Sequence, residues 1–150
     1  MYVWAAVSFN GDCTNFQYSV DYGAWKNLTS DAVNFGGGIG DLRLRGKSET
    51  GTWNPSKKLG TISFGKSDLK VCYSGDIRTL IDWENYGTVA TGKAVFTSLF
   101  ANCTALLTAP DLPSTELAEH CYRLMFSGCT SLKTAPALPA EKLAQRCLRV

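Results

Sequence analysis

Residues 100–123 and 126–149 are two copies of one pattern. FANCTALLTAPDLPSTELAEHCYR and FSGCTSLKTAPALPAEKLAQRCLR align at an offset of 26 residues without a gap, and 13 of the 24 positions are identical. No other feature constrains the fold as much, because each unit must retrace the same path and bury its apolar face against its neighbour. Within a unit, Leu106 or Leu132 opens an extended segment that ends at Leu112-Pro113 or Leu138-Pro139. The region from Glu116 to Arg123, matched by Ala140 to Arg149, then reads as a short helix. The period therefore predicts a solenoid of one strand and one short helix per unit over residues 95–150. The second copy breaks off inside its expected helix at Val150. A repeat without a following neighbour exposes an apolar end, so either more chain once followed or another molecule covers that end, and the second case predicts self-association through the C-terminal repeat.

The first half follows a different grammar. Tyr2 to Val7, Phe16 to Val20, Asp41 to Arg45, Gly60 to Phe64 and Leu69 to Tyr73 are short runs rich in β-branched and aromatic residues, several of them alternating polar with apolar. That is the pattern of half-buried strands. Asn10-Gly11, Asp21-Tyr22-Gly23, the run Gly36 to Gly40 and Asn54-Pro55 supply turn chemistry between them. The expected organisation is α+β: a β-sandwich-like domain over residues 1–73, a linker or repeat cap over 74–94, and two repeats over 95–150.

The repeat motif, read as L-x-x-A-P-x-L-P-x-x-x-L-A-x-x-C-Y-x-x-M-F-x-x-C-T-x-L, resembles the BspA-like leucine-rich repeats. It is carried most fully by Met125 to Leu132 followed by Thr134 to Ala140. Phe16 to Trp25, Gly40 to Gly46 and Tyr73 to Leu80 are similar to the β domain that often precedes such repeats. The resemblance implies a protein of the kind found on the surface of gut bacteria such as Bacteroides, and also encoded by associated phages. It implies a non-catalytic, adhesin-like or receptor-binding role at the cell surface or outside the cell, directed at a protein or glycan. The alternative is a structural component of a phage virion, and a weaker one is a glycan-acting enzyme.

In a leucine-rich repeat the exposed strand positions carry the contacts, which here are Leu107 and Thr108 in the first unit and Lys133 and Thr134 in the second. Tryptophans in the loops of a β domain can anchor a protein or stack on a sugar, which adds Trp25, Trp53 and Trp83 as candidates. Trp4 sits in an apolar run and reads as core.

Other chemistry finds little footing. A net charge of +2 and a single basic pair, Lys57-Lys58, give no reason to expect nucleic acid. No apolar run approaches the roughly 18 residues of a membrane span. The opening MYVWAAVSFN lacks a basic n-region, and Ser8 and Asn10 break its apolar run, so it makes a poor signal peptide. Of the six cysteines, Cys103 with Cys129 and Cys121 with Cys147 fall at equivalent repeat positions, the pattern of interior columns rather than of a four-ligand metal site. Cys13 and Cys72 fall in the first half, and the disulfide state of all six stays open. His120 faces no nucleophile in local sequence and reads as part of a solvated helix face. Gly36 to Gly40 lacks the Gly-Lys-Ser/Thr ending of a phosphate loop. Asp82 and Glu84 flank Trp83 in what reads as a solvated linker. No catalytic residue, metal or cofactor is expected.

Overall fold

Alternating side chains in the first half build two small antiparallel sheets. The computed structural model describes residues 5–10, 13–35, 40–53, 60–64, 70–89, 91 and 95–149, so the expectations for Trp4, Lys57-Lys58, Asn54-Pro55 and most of the glycine run lie outside the described residues. In chain order the first six strands are β1 (Ala5–Asn10), β2 (Phe16–Val20), β3 (Lys26–Asn27), β4 (Val33–Phe35), β5 (Leu42–Gly46) and β6 (Thr61–Phe64). One sheet has the order β4-β1-β6 and the other β3-β2-β5. Val7 lies opposite Val33 and Phe64, and Phe9 opposite Ile62. Val7, Phe9, Val33, Phe35 and Ile62 are all buried, while Asn34 between the two β4 residues is exposed, as a pleated strand requires. The second sheet joins the same core through Phe16, whose ring centroid is 5.7 Å from that of Phe9. The β2–β3 connection turns through Asp21 and Tyr22, both left-handed at φ 49° and 61°, and closes with the Gly23 N–H donating to the Val20 carbonyl at 2.9 Å. Paired left-handed residues match the twist of a hairpin.

The second half is a stack of coils joined by parallel bridges. Its elements are β7 (Val71–Cys72), a single 3-10 turn at Ile77–Leu80 capped by the Asp76 carboxylate, β8 (Leu106–Thr108), β9 (Glu116–Leu117), β10 (Tyr122–Arg123), β11 (Lys142–Leu143) and β12 (Leu148–Arg149). The strands β9 and β11 pair in parallel with Glu116 beside Lys142, and β10 pairs with β12 with Tyr122 beside Leu148. Both registers equal the sequence period. Between these bridges the amides of Phe96, Ser98, Phe100 and Asn102 donate to the carbonyls of Cys121, Arg123, Met125 and Ser127 in the next coil. An upstream coil stacks likewise, with β7 pairing β8 and with Gly51 bridged to Val95 and Asp76 to Asp111.

The expected α+β solenoid is not what forms. The described residues contain no α-helix, and the chain is nearly all β, in small open sheets. The segments read as helices, 116–123 and 140–149, are pairs of two-residue strands joined by turns. Their backbone angles show why. His120 and Leu124 have φ of 60° and 54°, and Arg146 has 55°. A right-handed helix needs negative φ at every residue, so one left-handed residue ends it. The corners recur with the repeat: Ser98 matches Leu124, Asn102 matches Gly128, and His120 matches Arg146, all with positive φ. The helix-like spacing of Leu117, Cys121 and Met125, all buried, arises from a coil whose corners at His120 and Leu124 stand between them, each followed by an inward residue. Burial at every fourth position is not specific to a helix when the path itself turns at that interval. In the second copy, residues 132–134 form no strand against β8.

Equivalent side chains stack along the coils. The rings of Phe100 and Phe126 lie 5.7 Å apart at 1°, and those of Phe96 and Tyr122 6.1 Å apart at 18°. Cys103, Cys121, Cys129 and Cys147 are buried within the same stack, and no disulfide forms between any of the six cysteines. Burial pushes the Cys121 thiol up to about 12 and the Cys129 thiol up to about 11, and raises Cys103 as well. The thiolate is the reactive form, so these groups should be inert at neutral pH. Exposed Cys72 is the exception. Ellman's reagent should label Cys72 in the native protein at least about tenfold faster than the repeat cysteines. All six should react in denaturant, and a denatured count of four or fewer would reveal bridges that this fold does not contain.

Candidate functional site

The strand β5 alternates leucine with arginine, which places Arg43 and Arg45 together on one face of the sheet. Arg45 lies opposite Gln17 on β2, which lies opposite Asn27 on β3. The three side chains form a row across the sheet. The Arg45 Nε–H donates to Gln17 Oε1 at 2.9 Å, and Gln17 Nε2 donates to Asn27 Oδ1 at 3.2 Å. Two tryptophans from distant parts of the chain pack on its arginine. The Arg45 guanidinium carbon is 4.0 Å from the Trp25 ring centroid and 3.9 Å from that of Trp83. Trp25 arrives directly ahead of β3, while Trp83 is fixed by its backbone N–H donating to the Gly46 carbonyl at 3.2 Å. A neighbouring pair follows the same logic: Arg43 lies 3.6 Å over the Tyr22 ring and reaches Asp41 at 3.1 Å. Guanidinium over an aromatic face is favourable because the ring quadrupole presents negative potential there, by about 0.5–2 kcal/mol per contact.

Lys47 continues the strand beyond Arg45 and takes a different partner set. Its amine donates to Asp82 Oδ1 at 2.7 Å and to Glu84 Oε2 at 2.6 Å. The Lys47 hydrogen bond, with help from the Asn85 amide, holds the Asp82 carboxyl down to about 2, and the two carboxylates raise Lys47. Asp82 and Glu84 thus anchor an ammonium. A cleft of about 500 Å³ opens beside the row, walled by Asn15, Gln17, Asn27, Arg45, Lys47 and Trp83.

The structure brings together two of the seven candidates. Trp25 and Trp83 share Arg45, with Trp25 37% exposed. Trp53 lies elsewhere, half-buried, with its N–H donating to the Val95 carbonyl at 3.2 Å at the junction with the repeats. Leu107 is half-buried, and the exposed Thr108 turns its hydroxyl back to the Tyr73 carbonyl at 2.9 Å. Lys133 and Thr134 are exposed on a segment without strand structure. His120 is a left-handed corner, not part of a helix face; its Nε2 is shielded from solvent without a hydrogen bond, 3.8 Å from Glu119 Oε1. Among the described residues no three His, Cys, Asp or Glu side chains gather as a metal site would need, and no helix is long and apolar enough to cross a membrane. Arg45, Gln17 and Asn27 were missed by reading the sequence, although the Leu42-Arg43-Leu44-Arg45 alternation marks the face on which they meet. Compared with models of known families, with curated proteins and with solved structures, the chain matches none of them.

Proposed function

We propose that the chain is a non-catalytic interaction module that recognises a protein or glycan partner through the Trp25–Arg45–Trp83 surface. The observation that carries this reading is the packing of two tryptophans on one arginine, of which Arg45 and Trp83 also wall an open cleft. Tryptophan and arginine are the residues on which binding energy concentrates, because each removes a large area from water while keeping a polar edge for orientation. The likeness of the repeat to bacterial surface proteins supports an adhesin-like or receptor-binding role, outside the cell or at its surface. A second reading, a component of a larger assembly such as a virion, is favoured by Leu138 and Leu143, which are 41% and 61% exposed on the last described coil.

A combined glycan and host-protein array probed with the soluble chain tests the first reading. Binding should appear and should weaken at least about tenfold in Trp25→Ala, a hot-spot-sized loss, with the melting midpoint little changed because Trp25 is partly exposed. Silence on both arrays, or binding indifferent to Trp25, would overturn it.

A further inference from the structure

We propose that Arg45 is the anchor for the carboxylate of an acidic sugar, of the uronic or sialic class, bound in the cleft beside it. The inference rests on the reading of this surface as an interaction module and names what it takes. Four other cations have carboxylate partners among the described residues: Arg43 with Asp41, Lys47 with Asp82 and Glu84, Arg78 with Asp76, and Lys142 with Glu116. Arg45 is held differently. Its Nε reaches only the neutral amide of Gln17, and its guanidinium carbon lies within 4.0 Å of the centroids of two indole rings. What remains is the planar edge with the two terminal nitrogens, which make no hydrogen bond among the described residues. That edge is the fork that matches a carboxylate with two parallel hydrogen bonds. Two tryptophans and a glutamine fix it before any ligand arrives, so little side-chain entropy remains to be lost on binding.

The rest of the cleft favours a sugar. Its volume of about 500 Å³ suits one or two sugar rings. Asn15, Gln17 and Asn27 line the cleft with neutral amides; Gln17 and the Asn27 oxygen already bond within the row, and the remaining N–H and lone-pair capacity of the three suits sugar hydroxyls. The second cation in the wall, Lys47, is already neutralised by two carboxylates that do not line the cleft. One unpaired guanidinium fits a singly charged carboxylate better than a phosphate dianion, which would draw on further cations.

The test uses the full chain and matched probes: methyl glucuronide and sialic acid against methyl glucoside, and an acidic peptide. Binding is read by tryptophan fluorescence and by the side-chain Nε–H NMR signal of Arg45. The acidic sugars should bind at least about tenfold more tightly than the neutral one and move the Arg45 signal. Arg45→Lys keeps the charge but loses the planar fork, and should abolish most of that preference. Should that variant not fold, the comparison of acidic with neutral sugar on the unaltered chain still decides. Equal binding of both sugars, an unmoved Arg45 signal, or a response to the acidic peptide alone would overturn the proposal. Array binding that depends on Trp25 but ignores sugar charge would reject the acidic-sugar anchor and leave the interaction module standing.

Discussion

Phe100→Ala should destabilise the chain by about 3–5 kcal/mol, read as a lower midpoint in urea unfolding. Phe100 is completely buried between two rings from neighbouring coils. Phe126 stacks on it at 5.7 Å, and Tyr73 meets it edge-on at 5.1 Å and 68°. Truncation removes the transfer energy of the ring and leaves a cavity whose walls are held by the coil backbone. The Phe100 N–H donates to the Met125 carbonyl, and the Phe100 carbonyl accepts from the Cys129 thiol at 3.0 Å. Walls tied down on both sides cannot collapse into the void, which places the cost at the upper end for aromatic truncation. Against a total of roughly 5–15 kcal/mol for a domain, that is a large fraction of the stability. A loss under about 1 kcal/mol would mean that Phe100 is not packed between coils.

Gly46→Ala should be nearly as damaging, by about 1–3 kcal/mol, and should also disturb tryptophan fluorescence. A Cβ at this position would press into the Leu80 carbonyl oxygen and lie 2.7 and 2.8 Å from Phe16 Cδ1 and Cε1. The ring of Phe16 can shift a little, but the carbonyl belongs to the backbone of the 3-10 turn and cannot rotate away. The strand β5 would have to move off that turn. The Gly46 carbonyl accepts from the Trp83 N–H, so the movement would loosen the tryptophan that covers Arg45. Gly87→Ala is the control: nothing lies within 4 Å of its added Cβ, and stability should change by less than about 0.5 kcal/mol. Equal effects at the two glycines would reject the close approach of β5 to the turn.

Reading the sequence located much of the strand content and misjudged the second half in a specific way. Phe16–Val20, Leu42–Gly46 and Thr61–Phe64 fall where apolar residues alternate with polar ones, and Val71–Cys72 falls in a short run of β-forming residues. The short strands at Lys26–Asn27 and Val33–Phe35 carry too few residues to show a period of two. The repeat offset was visible by alignment and equals the register of the bridges. The helix was not there because the left-handed angles at His120 and Arg146 carry little signal in residue type; neither is glycine, and among the corners of the repeats asparagine appears only at Asn102. The site was half legible. Trp25 and Trp83 stand out as aromatics in loops, but their meeting on Arg45 depends on the fold bringing distant segments together, which no local pattern records.

The matching corners of the two units have a consequence for how such a chain can change. At each pair the backbone angle is shared while the side chain differs: serine against leucine, asparagine against glycine, histidine against arginine. A non-glycine residue held left-handed costs roughly 1–2 kcal/mol, and the stacked coils sustain it without a fixed chemical identity at the vertex. What is inherited from unit to unit is therefore a route through space and not a string of letters. Exposed vertices such as Asn102 and Arg146 can be rewritten one at a time, giving the outside of the stack a new chemical character while its interior columns of phenylalanine and cysteine keep their alignment.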